Sequence, residues 1–165
     1  MEGYDYSADG CYFVTMVTEH RRELFGRIHD GVMCLNADGS MVDGCICGLE
    51  SRFNGLTVVN SVVMPNHVHI IMINRSRVSI SEVMRQFKAL TSHMYRKNTV
   101  CGAGQMYGRG LWQRSFYDVI IRNQRMFDFI NNYVTINPAR WQYDKINTNH
   151  NDVTDEICKE AGKLR

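Results

Sequence analysis

Long apolar runs are missing from this chain. No segment approaches the ~20 uninterrupted apolar residues that a membrane-spanning helix needs, so no membrane span is expected. Proline is scarce, at two residues in 165, and each stands beside an asparagine, in Pro65-Asn66 and Asn137-Pro138. No linker and no internal repeat divides the sequence. One domain is expected, with a core over about residues 11–144 and a polar tail over 145–165. The first residues, Met1-Glu2-Gly3-Tyr4-Asp5, lack the basic and apolar regions of a secretory signal, and a cytoplasmic protein is the expectation. Cysteine occurs six times, but Cys45-Ile46-Cys47 is the one close pair. With no second pair at zinc-site spacing, the cysteines read as reduced thiols packed as small hydrophobes.

A hydrophobic content of 44% is enough to bury a core. The net charge of +2 hides an uneven distribution. Between Arg75 and Arg125 stand ten basic residues and only Glu82 and Asp118 as acids, so this third of the chain is strongly positive and the rest is negative. That asymmetry suits a polyanionic partner on one surface, although a solvated basic face would look the same.

Tyr12 to Thr18, rich in aromatic and β-branched residues, reads as a first strand. Leu24–Ile28 and Val32–Leu35 flank His29-Asp30-Gly31, a hairpin signal. Apolar residues at Val42, Cys45, Ile46 and Leu49 have helix spacing over 41–52. Two paired strands follow, Leu56 to Met64 and His67 to Ile73, joined at Pro65-Asn66. Ser79 or Ser81 can cap a helix reaching about Asn98, with Val83, Phe87, Leu90 and Met94 as its apolar stripe and Arg85, Lys88 and Arg96 on a cationic one. Residues 99–110 read as a loop. A strand over 115–122 and a helix from about Gln124 to Ile136, capped by Asn123, complete the pattern. The expected fold is α+β, a ferredoxin-like (RRM-like) antiparallel sheet with helices packed on one face.

The chemistry centres on His67-Val68-His69. On a strand, residues i and i+2 share a face roughly 6–7 Å apart. The two imidazoles therefore project together and can converge on one cation. A pair of solvated histidines fits the same spacing. On the last helix, Tyr133 and Asn137 are four residues apart and share a face. Pro138 should end that helix near Asn137, at a place where side chains can reach across the sheet. A boundary tyrosine and a capping asparagine fit equally.

Taken together, these motifs resemble a known family. Met64-Pro65-Asn66-His67-Val68-His69 resembles the histidine signature of the HUH single-tyrosine transposases. Tyr133-Val134-Thr135-Ile136-Asn137-Pro138 resembles the tyrosine segment of the REP-associated branch. Trp112 to Asp118, Ile120-Ile121-Arg122, Tyr12 to Thr15 and Leu24-Phe25-Gly26 fit the same pattern, which spans about Tyr12 to Asp144. The resemblance implies that Tyr133 attacks a DNA phosphate and becomes a 5′-phosphotyrosine. It implies that His67, His69 and Asn137 bind a divalent cation, Mg²⁺ or Mn²⁺. It implies a single-stranded DNA substrate near a hairpin, with no nucleotide cofactor, and a monomer in preference to a dimer. Arg85, Lys88, Arg96, Arg114 and Arg122 are expected to contact DNA, and Trp112 or Tyr117 to stack on its bases. No carboxylate joins the expected ligand set, so the cation's affinity should be modest. The competing readings are a non-catalytic RRM-like nucleic-acid-binding module and a metal-dependent phosphohydrolase, neither of which needs Tyr133.

Overall fold

A computed structural model describes residues 9–101 and 110–147. The expected loop at 99–110 and the polar tail fall largely outside the described residues. The four-stranded sheet is formed by β1 (Gly10–Val17), β4 (Leu56–Met64), β5 (His67–Asn74) and β6 (Tyr117–Ile121). Its order is β4-β5-β1-β6 and every pairing is antiparallel. This is the split β-α-β order expected from the sequence. A separate hairpin, β2 (Gly26–His29) with β3 (Val32–Leu35), turns at Asp30 and Gly31, both at positive φ.

The first crossover carries α1 (Ala37–Cys47) and the short α2 (Leu49–Arg52). One helix over 41–52 was expected; there are two, and the first begins earlier. Asn36 caps it by accepting from Gly39 N at 2.9 Å. Glycine is required at position 39 because a Cβ there would collide with the Phe25 carbonyl. The second crossover is α3 (Ile80–Cys101), capped where expected by Ser79, whose Oγ accepts from Glu82 N.

Alternation along β1 and β5 sorts their residues onto two faces. Tyr12, Val14, Met16, Val68, Ile70 and Met72 pack with α1 and α3, through Val42, Ile46, Val83 and Phe87 among others. Phe13, Ile71 and Ile121 point the other way, against Met126, Ile130 and Val134 of α4 (Gln124–Ile136). The α+β antiparallel fold is as expected, but its helices are not confined to one face. The α4 stripe needs a partner, and the second sheet face offers apolar residues to bury it. Covered on both faces, β5 is buried along almost its whole length. Asn123 caps α4 through Met126 N, and a 3₁₀ helix, Pro138–Tyr143, turns the chain back beyond it.

Candidate active site

His67 and His69 open β5, just past the Pro65-Asn66 turn. Their face of the sheet is the one that α4 covers. The cross-strand row Val62, His69, Thr15, Tyr117 runs across all four strands. Asn60 of β4 donates to Asn131 Oδ1 at 2.8 Å and to Thr135 Oγ1 at 3.1 Å, which fixes α4 along its length. That registration brings the Tyr133 hydroxyl to 3.3 Å from His69 Nε2, although 64 residues separate them. The Tyr133 ring also meets Phe13 edge-on. Trp141, in the 3₁₀ helix, lies with its ring 5.9 Å from that of His67.

Asn66 sets the state of His67. Its Nδ2 donates to the carbonyls of Arg21 (3.1 Å) and Ile146 (2.9 Å), so its Oδ1 is the atom facing His67 Nδ1 at 2.9 Å. A carbonyl oxygen only accepts. His67 therefore carries its proton on Nδ1 and a lone pair on Nε2. His69 Nδ1 is 2.8 Å from Thr15 Oγ1, which can accept in the same way. The two Nε2 atoms face each other at 3.1 Å. That contact is satisfied in one of two ways: Thr15 Oγ1 donates to His69 Nδ1 and a neutral His69 donates from Nε2 to His67, or a cation lies between two Nε2 lone pairs. Burial opposes a charged imidazolium: it pulls the His67 pKa down to about 3 and holds His69 well below the ordinary range, His67 adding to the effect and Asp144 opposing it.

The donor set suits a divalent cation. Ligands about 2.1 Å from one ion and at right angles to each other lie about 3 Å apart, close to the observed Nε2–Nε2 separation. Asn137 is buried at the end of α4; its Nδ2 donates to Asp144 Oδ2 at 3.1 Å, and its Oδ1 is buried without a partner. A buried carbonyl oxygen with no donor to meet is a group that a cation would satisfy.

Asp144 was not foreseen, and it sets a carboxylate beside the two histidines. It is buried, and Asp144, His67 and His69 each offer a ligand atom within 4.8 Å of the others. Its Oδ2 is 4.0 Å from His67 Nε2 and accepts a long hydrogen bond of 3.4 Å from the Tyr133 hydroxyl. Burial first, and then the Asp144 charge, push the Tyr133 pKa well above that of a free phenol, with Asn137 and Arg140 working weakly against them. Asn66 and Thr15 stood within the recognised motifs but had no role assigned. Asp144 had no signal in the spacing, because the 3₁₀ turn alone brings it back to the sheet.

The basic residues are scattered. Arg85, Lys88 and Arg96 belong to α3, in the layer across the sheet from the histidines. Arg85 is exposed and pairs with Glu82 at 2.6 Å; Arg96 is exposed, its Nε donating to Ser92 O. Lys88 was expected at the DNA surface, but its ammonium donates to the carbonyls of Gln113 (3.0 Å), Arg114 (3.2 Å) and Ser115 (2.8 Å), and those take all three of its protons. Trp112 was expected to stack on bases, yet its ring is buried against Phe25 and Phe87, and its Nε1 donates to Thr91 Oγ1 at 2.8 Å. Both side chains anchor the 111–116 segment. Tyr117 is half exposed on the histidine face, and Arg114 and Arg122 are exposed at the two ends of β6.

The family model for IS200-like transposases matches residues 12–137, most of the chain. The chain belongs to this family. This is the family of the HUH single-tyrosine transposases. An uncharacterised protein of Haemophilus influenzae is 27% identical over 168 residues, covering 88% of this chain and 89% of that protein. Among solved structures, a REP-associated tyrosine transposase bound to a REP hairpin matches with a TM-score of 0.61 and 22% identity, over 88% of this chain and 76% of that one. A candidate transposase of Deinococcus radiodurans matches with a TM-score of 0.55 and 16% identity, over 82% of this transposase-family chain and 94% of that one. At these identities the structural likeness concerns the fold. Among the described residues, no helix is long and apolar enough to cross a membrane.

Proposed function

We propose that this chain is a metal-dependent single-stranded DNA endonuclease and strand transferase of the REP-associated type, acting near DNA hairpins. The observation that carries the reading is the approach of the Tyr133 hydroxyl to His69 Nε2 at 3.3 Å. A binding module or a hydrolase has no need of a phenol at that point. The phenol loses its proton, its oxygen bonds to phosphorus, the P–O3′ bond breaks, and the 3′ oxygen takes up a proton. The phosphotyrosine conserves the ester, so rejoining is the reverse attack by a 3′ hydroxyl and needs no nucleotide cofactor.

Burial and a nearby carboxylate make Tyr133 a poor nucleophile by itself. His67, His69 and Asn137 would hold Mg²⁺ or Mn²⁺, which supplies Lewis-acid polarisation of the scissile phosphate and favours the phenolate. Arg114, Arg122 and Tyr117, on the same sheet edge, are positioned for phosphate contacts and base stacking; Arg85 and Arg96 would serve duplex or hairpin on the α3 side. The meeting of Tyr133 and both histidines within one chain supports the reading of a monomer.

The test is a denaturing gel with end-labelled, hairpin-bearing single-stranded oligonucleotides taken from repeats flanking the gene. A covalent protein–DNA band is expected with wild type and Mn²⁺, and is expected to vanish with EDTA or in Tyr133→Phe. Cleavage that persists in the Phe variant without a covalent band would make the protein a hydrolase. Binding without cleavage across every repeat would make it a binding module.

A further inference from the structure

Asp144 is a buried carboxylate. Its Oδ1 accepts from Ile146 N at 2.7 Å, which holds the turn, so Oδ2 is the atom turned to the site. There it meets Asn137 Nδ2 at 3.1 Å, the Tyr133 hydroxyl at 3.4 Å and His67 Nε2 at 4.0 Å. Among the described residues, His67 is its one ion-pair partner, and the Asn66 bond leaves His67 neutral with a lone pair turned to the same space. Asp144, His67 and His69 each offer a ligand atom within 4.8 Å of the others, and a buried anion beside the His67 lone pair is costly unless a positive charge completes the group.

We propose that Asp144 is an anionic ligand of the divalent cation held by His67 and His69. The proposal rests on the reading of those histidines as ligands. It adds one negative charge to a ligand set that the sequence motifs make wholly neutral, and it biases the site toward hard cations such as Mg²⁺ and Mn²⁺. It also ties metal binding to the chain beyond α4. The 3₁₀ helix Pro138–Tyr143 carries Asp144, and Asn66 Nδ2 bonds Ile146 O, so a bound ion would join β5 to the 138–147 segment.

The experiment is Mn²⁺ titration of the full chain, followed by calorimetry and by the electron paramagnetic resonance signal of free Mn²⁺. Asp144→Asn is expected to weaken binding by at least about tenfold. Tyr133→Phe loses a hydrogen bond to the same carboxylate but no ligand, and should stay within about threefold of wild type. If Asp144→Asn binds as wild type does while His67→Gln loses the metal, Asp144 is no ligand and the histidine reading stands. If His67→Gln also binds as wild type does, the histidine reading itself fails. Should circular dichroism show that Asp144→Asn does not fold, the wild-type protein crystallised with Mn²⁺ decides. An anomalous peak about 2.1–2.3 Å from the carboxylate supports the proposal, and a peak on the histidines with the carboxylate beyond about 3 Å overturns it.

Discussion

Asn66 shows how much one side chain can determine. Its three side-chain hydrogen bonds join the carbonyl of Arg21, the carbonyl of Ile146 and the ring of His67. Truncating it leaves two partly buried carbonyls and a buried imidazole N–H without their partner. Asn66→Ala is expected to lower stability by about 3 kcal/mol in urea unfolding. It also frees His67 to flip its tautomer, so Mn²⁺ affinity measured on the folded variant should fall by roughly tenfold or more. A variant that loses stability and keeps its metal affinity would show that Asn66 only braces the turn. At this scale the sequence was readable wherever chemistry followed local spacing. His67 and His69 share a face by strand geometry, and Tyr133 and Asn137 by helix geometry. Asp144 was not readable, since no periodicity relates it to either pair.

Elements explain why two of the expected DNA contacts face inward. The sequence marks α3 as amphipathic with a cationic stripe, and most of that pattern holds. Periodicity cannot say what lies beside a helix, and the segment 111–116 lies beside this one. Trp112 N–H and the Lys88 ammonium both anchor that segment, and desolvation there pulls the Lys88 pKa down. Lys88→Met should therefore cost about 2 kcal/mol of stability and loosen the entry to β6. Its effect on the salt dependence of DNA binding should be nil. Arg114→Gln should do the reverse, leaving stability unchanged and reducing the slope of log affinity against log salt by about 0.7 for one lost phosphate contact on a single strand. A reduced slope for Lys88→Met would return that side chain to the DNA surface. The placement of α4 was hidden for a related reason. Its apolar stripe calls for burial, but the stripe does not say which face of the sheet receives it.

For the whole molecule, the site is a stability liability that acid should expose. The ferredoxin-like order was legible because strands and crossovers alternate clearly along the chain. What alternation cannot convey is that both imidazoles end up under α4, cut off from water. His67 titrates near 6.5 when unfolded and near 3 when folded. Between those values the unfolded chain binds the extra proton, so stability falls as pH drops through that window and this contribution is flat above it. For His67 alone the loss between about pH 7 and about pH 5 is about 2 kcal/mol, and His69 shifts in the same direction. Asp118, whose pKa burial raises, works weakly the other way. Urea midpoints of the metal-free protein should therefore fall steeply over this range. A His67→Gln/His69→Gln double variant should lose most of that dependence, because glutamine has no proton to gain. An equally steep fall in the double variant would locate the acid sensitivity elsewhere. Added Mn²⁺ should steepen the wild-type dependence further, since an ion on Nε2 competes directly with protons, and should leave the double variant unaffected.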